Sequence, residues 1–204
     1  MAVIEYFYSA HSAFAYLGSD RFAQLATGHQ IVHRPIDLGK TVPAAGVPGF
    51  SKRTPAHRNY YFRREIQRWS QFRDAPVMVG HPQFHSNDIT LGNCMLIAGV
   101  EAGLDVQPLA HAMLQSHWRD DSDLADYGTL LALGQATGFE AEDLLRQAST
   151  SEIQTKYVQN TLEAIERSVF GSPTYFVDGD MFYGQDWLEL VEHALTSPFV
   201  GKWP

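Results

Sequence analysis

Strand-like patterning sits at the two ends of this chain, and helix-like patterning fills the stretch between them. Val3 to Tyr8 (VIEYFY) is apolar, β-branched and aromatic, which suits a short buried strand. A small polar break follows, Ser9-Ala10-His11-Ser12. Phe14, Leu17, Phe22 and Leu25 then recur at helical spacing through Ala13 to Ala26. A second strand is predicted over Ile31 to Ile36, entered through Gly28, so the start of the chain reads as a βαβ unit with parallel strands. At Pro173 the period returns to two. Thr174 to Val177 is a strand, Asp178-Gly179-Asp180 a tight turn, and Met181 to Tyr183 the returning strand. Gly184-Gln185-Asp186 opens a last amphipathic helix through Leu188, Val191 and Leu195.

A βαβ start and a ββα finish flanking a helical block is the layout of an α/β thioredoxin fold with a large α-helical insertion. The expected division is 1–37 plus 170–204 for the thioredoxin-like part and 38–169 for the insertion. Within the insertion, Asp37 to Pro55 reads as a functional loop rich in Gly and Pro. Helices are predicted over 56–73, 91–100, 106–118, 127–136, 141–148 and 151–169. The last carries a capping box, Ser151-x-x-Gln154, and a buried stripe of Ile153, Tyr157, Leu162, Ile165 and Val169.

Composition narrows the function classes. A net charge of -8 supplies no positive field for nucleic acid. Met1 to Glu5 has no basic leader pattern, and no apolar run approaches the ~20 residues that span a bilayer, so a cytoplasmic protein without a membrane partner is expected. A single cysteine, Cys94, excludes an intramolecular disulfide or a CxxC redox centre and reads as a small core hydrophobe. The His81-Pro-Gln-Phe-His85 pair lacks further ligands at useful spacing, so no metal site is expected. Lys52 to Arg73 holds seven of the chain's 15 basic residues. Most of these read as a solvated, ion-paired helix face. Lys52, Arg53 and Arg58, nearest the loop, are the candidates for attracting an anionic substrate.

Three pieces can carry chemistry. Ser12 lies where the first strand gives way to a helix, a place where free N–H groups and the helix dipole favour an anion such as a thiolate. Thioredoxin-type oxidoreductases keep their reactive cysteine there. Read locally, Ser12 is equally an ordinary helix cap. Gly171-Ser172-Pro173 suits a cis prolyl bond at a strand start, with Ser172 free to pair with a peptide-like ligand. Tyr183-Gly184-Gln185-Asp186 offers backbone N–H groups for a carboxylate and the Asp186 side chain for an ammonium, together an amino-acid head group. Its alternative role is Asp186 as a helix N-cap.

Ser12-Ala-Phe-Ala-Tyr-Leu17 and Phe170 to Leu188, supported more weakly by Gln67-Arg68-Trp69, give the chain a resemblance to a known family. It resembles the 2-hydroxychromene-2-carboxylate isomerases, relatives of kappa-class glutathione transferases in the DsbA-like branch of the thioredoxin superfamily. The resemblance implies that the Ser12 hydroxyl bonds the glutathione sulfur. It implies that Ser172 and Pro173 hold the cysteinyl backbone, and that Tyr183, Gly184, Gln185 and Asp186 hold the γ-glutamyl head group. It further implies a homodimer whose aromatic carboxylate substrate meets Lys52 and Phe84. The implied reaction is thiolate addition, bond rotation and elimination, with glutathione not consumed. Two alternatives remain open on the residues: a kappa-like transferase, and a thiol-less, DsbA-like peptide-binding module.

Overall fold

In the computed structural model, which describes residues 1–201, the two chain ends meet in one four-stranded sheet of order β2-β1-β3-β4. β1 (Val3–Tyr8) pairs in parallel with β2 (Gln30–Pro35) and antiparallel with β3 (Thr174–Val177), which pairs antiparallel with β4 (Asp180–Tyr183). The β3–β4 turn places both Asp178 (φ 49°) and Gly179 (φ 88°) at positive φ, the two-residue turn whose twist suits a hairpin. Residues 202–204 of the expected 170–204 segment lie outside the described residues.

Alternation along β1 gives each sheet face its own packing. Ile4, Tyr6 and Tyr8 face the larger core, where the Tyr6 ring stacks on Tyr8 at 4.1 Å and on Tyr175 of β3 at 5.2 Å. Burying one such ring contributes roughly 1.5–3 kcal/mol, more than the roughly 1 kcal/mol net of a ladder hydrogen bond. The aromatic column and the β1–β3 ladder together join the chain ends. Phe7 and Phe176 point to the opposite face, packing with Ile36, Ala164 and Val169. There Arg167 pairs with Glu5 at 2.8 Å and lies 3.8 Å over the Phe176 ring.

α1 (Ala13–Leu25) connects β1 to β2. The helices that follow are α2 (Leu38–Ala44), α3 (Pro55–Asn59), α4 (Ile66–Arg73), α5 (Thr90–Glu101), α6 (Gln107–Asp120), α7 (Tyr127–Ala136), α8 (Ala141–Ala148) and α9 (Ser151–Glu166). α10 (Leu188–Thr196) closes the chain, and one continuous apolar core unites the sheet with α5 to α8. Cys94 is fully buried in that core, where desolvation lifts its thiol to about 11.

Several boundaries depart from expectation. The Asp37–Pro55 segment is not wholly loop: Asp37 caps α2 by accepting from Lys40 N at 3.3 Å. The predicted 56–73 helix is divided by a π-helical stretch, Tyr60–Glu65. The cap of α9 is Thr150, accepting from Ile153 N, and not Ser151. Leu162 is exposed, so the stripe of α9 runs through Ile153, Tyr157, Asn160, Thr161 and Ala164. Asp186 is no helix cap: it lies inside a 3₁₀ turn (Gln185–Trp187) that precedes α10.

Candidate active site

The N-terminus of α1 and the turn before β3 come together at the sheet end. Ser12, extended at φ -75° and ψ 123°, is the N-cap of α1, and its Oγ accepts from Ala15 N at 3.3 Å. The same hydroxyl donates to the Ser172 carbonyl at 3.0 Å, a partner 160 residues away. The Ser172–Pro173 bond is cis, and Ser172 Oγ accepts from Ser9 N at 3.1 Å. Two further bonds fix the short segment before α1. Ala10 N donates to Asn93 Oδ1 at 3.0 Å, and the Trp118 indole donates to the His11 carbonyl at 2.8 Å. Ser12 is thus both the cap of α1 and a link to the turn before β3.

Residues 183–186 continue from that turn. Gly184 N donates to the Pro173 carbonyl at 2.9 Å. Gly184 holds φ 102°, and a Cβ there would sit 2.3 Å from Asp186 Oδ1, so only glycine fits. α1 presses directly on this segment: a Cβ on Gly18 would fall 2.5 Å from Gln185 Cβ. Arg73, at the end of α4, reaches in from the insertion. It donates to Gln185 Oε1 and to the Gln185 carbonyl, each at 3.2 Å, and to Glu189 at 3.0 Å. Gln185 is fully buried, and its Nε2 has no partner among the described residues. Partial withdrawal from water raises the Asp186 carboxyl above the ordinary aspartate range, with Arg73 opposing and Glu189 and Glu65 assisting.

Beside these residues opens a cavity of about 580 Å³ between the start of α1 and the insertion. Ser12, Ser172 and Tyr183 line it, together with apolar Phe14, Val42, Phe62 and Phe170. Pro173, Gly184, Gln185 and Asp186 do not line it. Neither Lys52 nor Phe84 lines it. Lys52 is exposed on a 3₁₀ turn, and the chain neighbours Arg53, Gln83 and His85 take the wall instead. Arg53 is the one Lys or Arg among the described residues of the lining. Its guanidinium lies over Phe62 at 5.4 Å and is anchored by Nε donating to the Pro48 carbonyl at 3.0 Å. The Tyr61 and Tyr183 hydroxyls pair with one another nearby, and burial raises both phenols.

Sequence reasoning missed two groups. Arg73 reads locally as one of the surface cations, and nothing local distinguishes it from Arg63 or Arg64. His11, His81 and His85 line the cavity, and His117 backs them, with His85 Nδ1 2.9 Å from His117 Nε2. Burial holds His11 down at about 4, and His85 and His117 below the ordinary histidine range, so all three are neutral at neutral pH. No group of His, Cys, Asp and Glu among the described residues is arranged to hold a metal ion, and no helix is long and apolar enough to cross a membrane.

Known proteins of this fold align along nearly the whole chain. The chain is 28% identical over 196 residues to the 2-hydroxychromene-2-carboxylate isomerase of Pseudomonas putida, covering 95% of this chain and 94% of that one. It is 24% identical to glutathione S-transferase kappa 1 of Rattus norvegicus, covering 99% and 94%. A solved structure of 2-hydroxychromene-2-carboxylate isomerase superposes with a TM-score of 0.77 at 26% identity, covering 95% of this chain and 94% of that one. The family profile of the DSBA-like thioredoxin domain matches residues 3–196, nearly the whole chain, and the protein belongs to that family.

Proposed function

We propose that this protein is a glutathione-dependent isomerase of 2-hydroxychromene-2-carboxylate or a related unsaturated aromatic acid, giving a ring-opened trans-o-hydroxybenzylidenepyruvate-type product. The observation that carries the reading is the Ser12 hydroxyl, held at the N-terminus of α1 and aimed at the Ser172 carbonyl. That carbonyl is suited to accept a cysteinyl N–H, strand to strand. The Ser12 proton, released from it, then turns to the neighbouring sulfur. A hydroxyl donor and the free N–H groups of a helix start together favour a sulfur anion at neutral pH. When bound, glutathione supplies a thiolate that adds to an unsaturated carbon of the substrate and leaves after the bond has rotated.

The remaining residues fit the rest of the tripeptide and the acceptor. The 184–186 backbone, with the Arg73 charge behind it, suits a carboxylate. The buried Gln185 side chain, held by Arg73, fixes that backbone from behind. An ammonium beside Asp186 would offset the desolvation that raises its carboxyl. Across the cavity, Arg53 supplies the cation for an anionic substrate, the role expected of Lys52, and apolar walls cover its aromatic ring.

The test is to follow free thiol while 2-hydroxychromene-2-carboxylate turns over. A constant thiol concentration with accumulating product is expected. Stoichiometric thiol loss would establish instead a transferase, which the similarity to the rat kappa enzyme favours. No heat of glutathione binding at millimolar concentration would leave the peptide-binding module.

A further inference from the structure

The tautomers of two cavity histidines follow from two separate hydrogen-bond chains. His117 Nδ1 lies 2.9 Å from the Ser122 carbonyl, so it carries the proton and leaves Nε2 bare. His85 Nδ1, 2.9 Å from that Nε2, must then donate, which leaves His85 Nε2 a hydrogen-bond acceptor. The second chain starts at Asn93. Its Oδ1 accepts from Ala10 N at 3.0 Å, which fixes the amide orientation and turns Nδ2 toward Ser9 Oγ at 3.3 Å. Asn93 Nδ2 also faces the Ile36 carbonyl and the Tyr157 hydroxyl, three acceptors for two protons, so it does not by itself orient Ser9. Among the described residues His11 Nδ1, at 3.0 Å, is the one acceptor within bonding distance of the buried Ser9 hydroxyl, so Ser9 donates to it and His11 carries its own proton on Nε2. Neither Nε2 has a hydrogen-bond partner among the described residues. Both rings line the cavity beside Ser12, with centres 4.7 Å apart and planes at 69°.

We propose that His11 and His85 form a hydroxyl-reading pair, His11 donating and His85 accepting, that selects acceptors carrying a hydroxyl, such as the hemiketal hydroxyl of 2-hydroxychromene-2-carboxylate or the phenol of its ring-opened isomer. A hydroxyl both donates and accepts, so it matches this pair, whereas a methyl, a halogen or a bare carbonyl does not. The neutrality of the imidazoles keeps the two roles distinct. His117, which does not line the cavity, is a positioning residue: it sets the His85 tautomer. This inference deepens the proposed substrate class and rests on that reading for the identity of the acceptor, but its test needs no turnover.

Calorimetry with trans-2-hydroxycinnamate and trans-cinnamate, which differ by one phenol hydroxyl, tests it on the full chain. The wild type should bind the hydroxylated acid about 10-fold more tightly, as two net hydrogen bonds allow. His85→Phe should abolish that preference while holding cinnamate affinity within about threefold. His11→Phe should do so in part, and His117→Phe should weaken the preference without touching either ligand. Equal affinities in the wild type, or an unchanged preference in both His85→Phe and His11→Phe, would overturn the pair. A wild type that binds neither acid overturns it too, and a parallel glutathione titration separates that failure from loss of the thiol reading. A protein that prefers the hydroxylated acid but does not bind glutathione would keep the pair and sink the proposed chemistry.

Discussion

The two sides of the cavity are built on different principles. The sheet side presents backbone groups and short side chains: Ser12, the Ser172 carbonyl, and the glycine-permitted turn at 184. Each is fixed by an adjoining strand end or helix start, and the parts are drawn from both chain termini. The insertion side presents long or aromatic side chains, among them Arg53, Phe62 and His85, carried on segments without sheet pairing. The first side suits a ligand whose backbone never changes. The second can be altered residue by residue without disturbing the sheet. On the proposed reading the sheet side holds the thiol and the insertion side chooses the acceptor.

Breaking the sheet side should have the largest effect. Ser12→Ala removes one preorganised donor to developing negative charge and should lower kcat by about 10²–10³-fold, with glutathione affinity changed only severalfold. Steady-state kinetics alongside calorimetry checks the split, and an equal loss in both would mean that Ser12 serves binding alone. Arg73→Ala removes two bonds to Gln185 and should raise KM for glutathione by about 10–100-fold. Arg73→Lys should not restore it, because an ammonium cannot span the side-chain and backbone oxygens as the guanidinium fork does. Arg53→Ala sharpens the contrast from the other side. Its KM for the aromatic acid should rise about 10-fold while glutathione affinity stays within about twofold.

The smallest expected effect is on acid stability. Burial lowers the folded-state titration of His11 and His33 to about 4, and lowers that of His85 and His117 as well. The unfolded chain takes up protons at an ordinary histidine value of about 6.5, so it binds more protons than the folded chain below that pH. Stability should be flat above about 6.5 and fall between about 6.5 and 4. Thermal melts across that range should show a shallower fall for His85→Phe than for the wild type. An identical slope would remove the histidine wall as its source.

Much of the sheet side was legible because its signals are local. Period-two strands, an Asp-Gly turn, a proline at a strand start and a serine before a helical pattern each carry their own physics over a few residues. Their convergence needed only the pairing of two chain ends. The insertion side was less legible because its chemistry is long-range. Arg73 is set apart only by the distant Gln185, and the histidines come from the α1 entrance, the loop before α5 and α6. One signal was available and unused. Asn93 sits within the apolar run Gly92 to Gly99, and a buried amide there must be hydrogen-bonded. Its partners, Ala10 N, Ser9 Oγ and Tyr157 Oη, lead directly to the site. The π-helical stretch at Tyr60–Glu65 has no signature in its residues that we can identify.

The central claim is that Ser12 donates to a sulfur this chain does not itself carry. Its most direct test is the ultraviolet absorbance of the thiolate of bound glutathione, titrated against pH in the wild type and in Ser12→Ala. The bound thiol should ionise below the value of free glutathione in the wild type. Loss of a hydrogen bond to a charged group, about 1.5–3 kcal/mol, should raise its apparent pKa by about 1–2 in Ser12→Ala. The same titration curve in both proteins would contradict the account.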